Sequence, residues 1–225
     1  MHIEPGLIAE PKLVLSYATG AAALAFGAKL ALDEARARGS ASLAARAALA
    51  TGLTIAFFEI LPHVAVGVSE VHLILGTTLL LLLGTAPAAI GLAAGLLIQG
   101  LAMAPADLPQ YGANVTTLLA PLFALAWLVR RLVAPDTAFV DLGYGQILRL
   151  SLAYQGGIVA WVAFWALWGQ GATAATLTAV GAFGAAYVLV VLIEPLADLA
   201  VLAAAKSLRG LRGTGLVARR LHDAA

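Results

Sequence analysis

Histidine is scarce in this chain, and its placement is where chemistry is most readily read. Four are present: His2, His63, His72 and His222. The chain opens "MHIEPGL". A free α-amine on Met1, the following backbone amide and the His2 imidazole can wrap one metal ion in fused chelate rings. The amine and amide nitrogens close a five-membered ring, and the amide nitrogen with His2 Nδ1 closes a six-membered one. A deprotonated amide favours a planar set of nitrogens, which suits Ni²⁺ or Cu²⁺ and can suit Co²⁺. A fourth nitrogen from His72 or His63 would complete the plane. Glu70 stands two residues from His72, close enough to pair with its imidazole or to ligate the ion itself. His63 reads as a relay or an alternative ligand. His222, near the end of a polar tail, reads as solvated.

Other chemistries are excluded. There is no cysteine, so disulfides, thiolate metal sites and cysteine nucleophiles are ruled out. No His-Glu-x-x-His, Gly-x-Ser-x-Gly or paired-aspartate motif supports an intramembrane enzyme, and no Walker A pattern supports ATP hydrolysis. A net charge of +1, with no basic run interleaved with aromatics, excludes a nucleic-acid partner.

The elements that must position these residues are membrane helices. Of the 225 residues, 62% are apolar and 11% charged, less than half the roughly 25% charge of a soluble domain. Mean hydropathy is +0.96. Seven apolar stretches can be read: Leu13–Leu32, Leu43–Ile60, Val71–Leu83, Ala86–Met103, Val115–Val133, Ile147–Trp168 and Ala172–Ala205. Gly and Pro mark most of their boundaries. Stretches such as "GAAALAFGA" and "GAFGAA" let helix backbones approach closely in lipid. The expectation is an all-α polytopic protein of about seven transmembrane helices, one transmembrane domain over residues 1–225.

Orientation follows from lysine and arginine. With the N-terminus outside, all of the thirteen cations except Lys12 fall on the inner side. Arg36, Arg38 and Arg46, then Arg130 and Arg131, then the tail with Lys206, Arg209, Arg212, Arg219 and Arg220 all lie there. Lys29 and Arg149 lie at inner helix ends. The expectation is N-out and C-in, in the inner (plasma) membrane, with residues 1–12 on the outer face and the basic tail 206–225 along the inner surface. No n-region precedes the first apolar run, so Met1 and His2 are expected in the mature chain. The third stretch is short: thirteen residues rise only about 20 Å against roughly 30 Å of hydrocarbon. The preceding "LPHVAVGVSEVH" is therefore expected to dip into the membrane as a re-entrant outer loop carrying His63, Glu70 and His72.

Four stretches carry a resemblance. "MHIEPG" resembles the Met-His-Ile-x-(Asp/Glu)-Gly start of the CbiM/NikM family, with Glu4 and Pro5 transposed. "GVSEVHLILGTTLL" resembles its Thr-Ser-x-His loop and helix. "GTAPAAIGLAAGLLIQGL" resembles its Gly-Pro-x-x-Ala helix ending in Leu-x-x-Gln-x-Leu. "YGANVTTLLAP" resembles its Leu-Gly-Ala-Asn segment. These motifs cover residues 1 to about 130. Here His63 is an addition, Glu70 stands where a small residue is usual, and Thr117 replaces a second Asn.

The family is the membrane substrate-capture component of cobalt and nickel energy-coupling-factor ABC transporters. The resemblance implies metal ligation by Met1, His2 and His72; His63 and Glu70, where this chain departs from the family pattern, stand as additional or alternative ligands. Glu4, Gln99 and Asn114 would orient the terminal segment or His72 by hydrogen bonds. It implies capture of Co²⁺ or Ni²⁺ as cargo, with no resident cofactor and no catalysis. A coupling transmembrane subunit and ATPase subunits would be separate chains. The alternative is a subunit that captures a small organic solute such as a vitamin, with the tryptophans of "WVAFWALW" as a stacking pocket.

Overall fold

The computed structural model describes residues 3–207 and 209–224. In chain order the elements are α1 (Glu10–Arg38), α2 (Ser40–Glu59), β1 (Val64–Val66), β2 (Ser69–Val71), α3 (Gly76–Leu83), α4 (Thr85–Ala102), α5 (Tyr111–Leu132), α6 (Tyr144–Gln170) and α7 (Ala174–Ser207). Among the described residues, six helical segments are long and apolar enough to cross a membrane. The fold is all-α and polytopic, as expected, with one small hairpin added. Helices outrun the apolar stretches where polar residues can continue the spiral. α1 runs on past Leu32, with Lys29 and Asp33 paired at 2.9 Å one turn apart, until Gly39 with φ 88° turns the chain directly into α2.

The expected third span, Val71–Leu83, is shorter than read. Only Gly76–Leu83 is helical, eight residues, and Val71 belongs to β2. The valine-rich approach pairs as a hairpin because β-branched side chains favour extended backbone. α3 is buried on nearly every side chain, its two threonines included, the mark of a helix at the centre of a bundle.

Small residues bring the long helices together. Gly20 of α1 faces Gly112 of α5. A Cβ on Gly20 would lie 3.0 Å from the Gly112 Cα, and one on Gly112 would lie 2.7 Å from the Ser16 carbonyl carbon. In the same way a Cβ on Gly91 of α4 would lie 2.9 Å from the backbone nitrogen of Thr51 in α2. The α1–α5 seam matters most for function, because it sets the start of α5 beside the segment that leads into α1.

The basic tail does not simply lie along a surface. It folds against the foot of the bundle. Ala218 N–H donates to the Leu82 carbonyl at 2.6 Å, Arg38 donates to the Val217 carbonyl at 3.1 Å, and Arg220 donates to the carbonyls of Val133 (3.1 Å) and Ala134 (2.5 Å). Leu221 is fully buried. His222 is correspondingly half-buried rather than solvated, lining a cavity of about 380 Å³ with Arg38, Arg212 and Arg219.

Gly112→Ala should lower stability by roughly 1–3 kcal/mol, because the added methyl pushes α1 from α5. Gly156→Ala, whose Cβ meets nothing within 4 Å, should be neutral or stabilising, since alanine favours helix over glycine. Thermal melting of both variants in one detergent checks this; equal melting temperatures would refute the seam.

Candidate metal centre

The site is built on the hairpin. Val64 pairs with Val71, Ala65 with Glu70 and Val66 with Ser69, antiparallel. The turn is two residues, Gly67 and Val68. Gly67 has φ 64°, which suits the first corner of a tight hairpin turn and needs no side chain. It also packs on the backbone of Ala179 in α7, where a Cβ would overlap.

Side chains two apart on extended chain share a face, so Glu70 and His72 come together. Glu70 Oε2 lies 2.8 Å from His72 Nε2. With a neutral imidazole, Nε2–H donates to the carboxylate and Nδ1 carries the lone pair, the arrangement by which a carboxylate fixes a metal-ligating histidine. His72 is buried, only 1% exposed. The His63 ring stacks on it, centroids 4.8 Å apart and planes 11° from parallel, and Phe58 covers it at 5.4 Å. His63 itself is exposed and lies 3.4 Å through Nδ1 from the Leu61 carbonyl oxygen. Ring nitrogens bind metal in the ring plane, so two parallel stacked rings do not converge on one ion.

The segment before α1 docks on this hairpin. Ile3 bridges antiparallel to Ser69, adding a third strand position at the edge of β2. Its N–H donates to Asn114 Oδ1 at 2.9 Å. Glu4 N–H donates to the Val68 carbonyl at 3.2 Å, and Gln110 Nε2 donates to the Glu4 carbonyl at 3.4 Å. Ile3, Leu7 and Ile8 are buried at 5% exposure or less. Each such side chain contributes about 1.5–3 kcal/mol of burial, so the segment is anchored as firmly as a strand.

The electrostatics suit a cation. Partial burial raises the Glu4 carboxyl above the usual carboxylate range, and the negative charges of Glu70 and Asp107 raise it further. Such an acid contributes stability below its ordinary pKa and loses it as pH rises through the raised value.

The residues expected at the site do not all meet. Met1 and His2 lie outside the described residues. His72, Glu70 and His63 adjoin one another, and Asn114 and Glu4 hold or form part of the terminal segment. Gln99 does not reach it: its Nε2 donates to Glu59 Oε1, tying α4 to α2. Among the described residues, no three His, Asp or Glu side chains gather as a metal site. Two of the tryptophans of α6 cluster with Phe164: Trp161 lies 6.1 Å from Trp165 and edge-on to Phe164 at 5.3 Å. Trp165 is fully buried edge-on to Phe164 at 4.9 Å, and Trp168 donates to the Lys12 carbonyl at 3.3 Å.

Two buried acids escaped the sequence reading. Glu194 and Asp198 of α7 are 0% and 1% exposed. The Glu194 carboxyl accepts from the N–H groups of Ile74 (2.6 Å) and Leu75 (2.8 Å) and from Gln155. Asp198 accepts from the Thr78 hydroxyl. The available signal was two carboxyl residues one turn apart in an otherwise apolar helix, since ionisable groups inside a membrane mark a site or pathway.

No match was found among curated proteins or among solved structures. The family model CbiM, described as cobalt uptake substrate-specific transmembrane region, matches residues 2–210. That extends the likeness from the motif-bearing 130 or so residues through α6 and α7. It makes the protein a multi-pass membrane component of a transport family rather than an enzyme family, with a metal ion as the substrate. On that match, together with the bundle and its histidine-bearing hairpin, the chain belongs to the CbiM family of cobalt uptake substrate-specific transmembrane proteins.

Proposed function

We propose that the protein captures Co²⁺ or Ni²⁺ through the Met1 amine, the His2 amide and imidazole nitrogens, and His72 Nδ1. The pairing of Ile3 with Ser69 carries this reading. The pairing is antiparallel, so if its register continued, the residues before Ile3 would fall opposite those that follow Ser69, on the side of His72. Two residues reach at most about 7 Å, which brings a terminal chelate within range of the hairpin. Asn114 supports the arrangement by holding the Ile3 amide, and Glu70 by fixing the imidazole. The chelate requires a free α-amine on Met1, which intact mass reports.

The metal is cargo, and the chain itself hydrolyses nothing. A separate coupling transmembrane subunit and ATPase subunits complete an energy-coupling-factor transporter in the inner membrane. The distribution of Lys and Arg supports an outward-facing hairpin end, so uptake starts from the outer face.

Protein purified in detergent should carry near-stoichiometric Co²⁺ or Ni²⁺ by elemental analysis. His2→Ala removes the imidazole and with it the six-membered ring; metal content should fall to background. Unchanged content, or a copurifying organic solute in place of metal, would sink the reading. His72→Ala should weaken affinity by about 100-fold or more, and His63→Ala by less than about threefold, since loss of a ligand outweighs the 10–100-fold cost of a supporting group. Isothermal titration distinguishes them, and the reverse order would make His63 the ligand.

Binding should also weaken on acidification, because amine and imidazole must shed protons with ordinary pKa values of about 7.7–8.0 and 6.5. Affinity at pH 5.5 should be at least about tenfold below that at pH 7.5. A flat profile across that range would argue for carboxylate ligands.

A further inference from the structure

We infer that Glu194 of α7 is a positioning residue for metal capture, holding the 72–75 segment, and with it His72, through the amides of Ile74 and Leu75. The inference rests on His72 being a ligand as proposed above. Three observations carry it.

The first is the bonding itself. One carboxyl oxygen, Glu194 Oε1, accepts from both consecutive N–H groups, at 2.6 and 2.8 Å, two and three residues beyond His72. Its other oxygen accepts from Gln155, and Gln155 Oε1 in turn accepts from the Tyr187 hydroxyl at 2.8 Å. The carboxyl is thus fixed from α6 and from its own helix before it reaches the loop.

The second is strain. Leu75 has φ 53°, and among the described residues it is the one non-glycine in the left-handed region. A leucine persists there only when its surroundings over-determine it. It stands at the N-cap of α3 and has no side chain of its own to cap the helix. The Glu194 carboxyl instead satisfies the N–H of Leu75 itself and that of Ile74 before it, holding the strained residue at the entry to α3.

The third is that α7 follows the hairpin along its length. The Gly67 turn packs on Ala179, and the chain past β2 meets Glu194. Fifteen residues separate these two points, about 22 Å of helix. A displacement of α7 is therefore felt at both ends of the strand pair that carries Glu70 and His72.

The test uses the full-length protein in detergent, with Co²⁺ as the probe. Glu194→Leu leaves two buried amides without an acceptor. Amide exchange over residues 69–79 in metal-free protein should rise at least about tenfold. Co²⁺ affinity should drop about 10–100-fold, with a shifted visible absorption spectrum. Glu194→Gln should restore all three to within about threefold. Its amide oxygen can accept the same two N–H groups, while Gln155 turns its own amide to receive the new NH₂ and to donate to the Tyr187 hydroxyl. Gln155→Leu, which removes one brace and keeps the carboxyl, should shift the same readouts in the same direction by less, and it stands in if Glu194→Leu does not fold.

Thr78→Val breaks the neighbouring bond to Asp198 and controls for loosened packing; it should leave affinity and spectrum unchanged. Glu194→Leu protein with wild-type affinity and spectrum, or a Thr78→Val loss equal to that of Glu194→Leu, would overturn the role. Wild-type protein that takes up no Co²⁺ would instead overturn the capture reading itself, an outcome separate from both.

Discussion

An eight-residue helix in the middle of a membrane protein cannot end in water, and the rest of this structure is arranged around that constraint. α3 rises about 12 Å, so both ends fall where unsatisfied backbone groups are costly. At its head, Ile74 and Leu75 N–H groups meet the Glu194 carboxyl. At its foot, the Leu83 carbonyl meets the Arg46 guanidinium at 2.6 Å, itself paired with Glu34, and the Leu82 carbonyl meets the Ala218 amide. An acid at the N-terminal end and a base at the C-terminal end also complement the helix dipole. Helices α1, α2 and α7 and the tail all contribute to closing these two ends.

Once α3 is fixed, the chain before it has little choice. It must cover the remaining depth without a helix and without stranded amides, and an antiparallel hairpin satisfies most of them internally. The free edge of β2 is taken by Ile3, and the Ile3 amide by Asn114. The same economy of backbone groups that permits a short helix thus creates a place where the start of the chain and a buried histidine can share one side of a sheet.

Much of this was legible in the sequence, and the exceptions have definite causes. The seven apolar stretches, the shortness of the third and the special position of His72 follow from composition and spacing. The hairpin was hidden because its two three-residue strands lie in the segment read as a re-entrant loop, where each is too short to show an alternating pattern. Gln99 was expected near the terminal segment, but its partner is Glu59, and nothing local distinguishes those two destinations. The roles of Glu194 and Asp198 depend on bonds spanning about 120 residues, so the sequence could flag the acids but not find their partners. The tail read as a basic surface strip because its anchors are backbone carbonyls, which leave no trace in residue type.

The depth of the head of α3 has an electrical consequence. Lys206 lies twelve residues beyond Glu194 in α7, roughly 18 Å of helix, against a hydrocarbon core of about 30 Å. On the reading proposed above, an ion held at His72 has already entered the voltage drop across the bilayer. A unit charge crossing a full 100 mV gains about 2.3 kcal/mol, so a divalent ion gains about 0.5 kcal/mol for each tenth of that drop it crosses. Capture from outside an energised cell would then draw on the membrane potential as well as on its nitrogen ligands, and a depolarised membrane would hold its cargo less tightly.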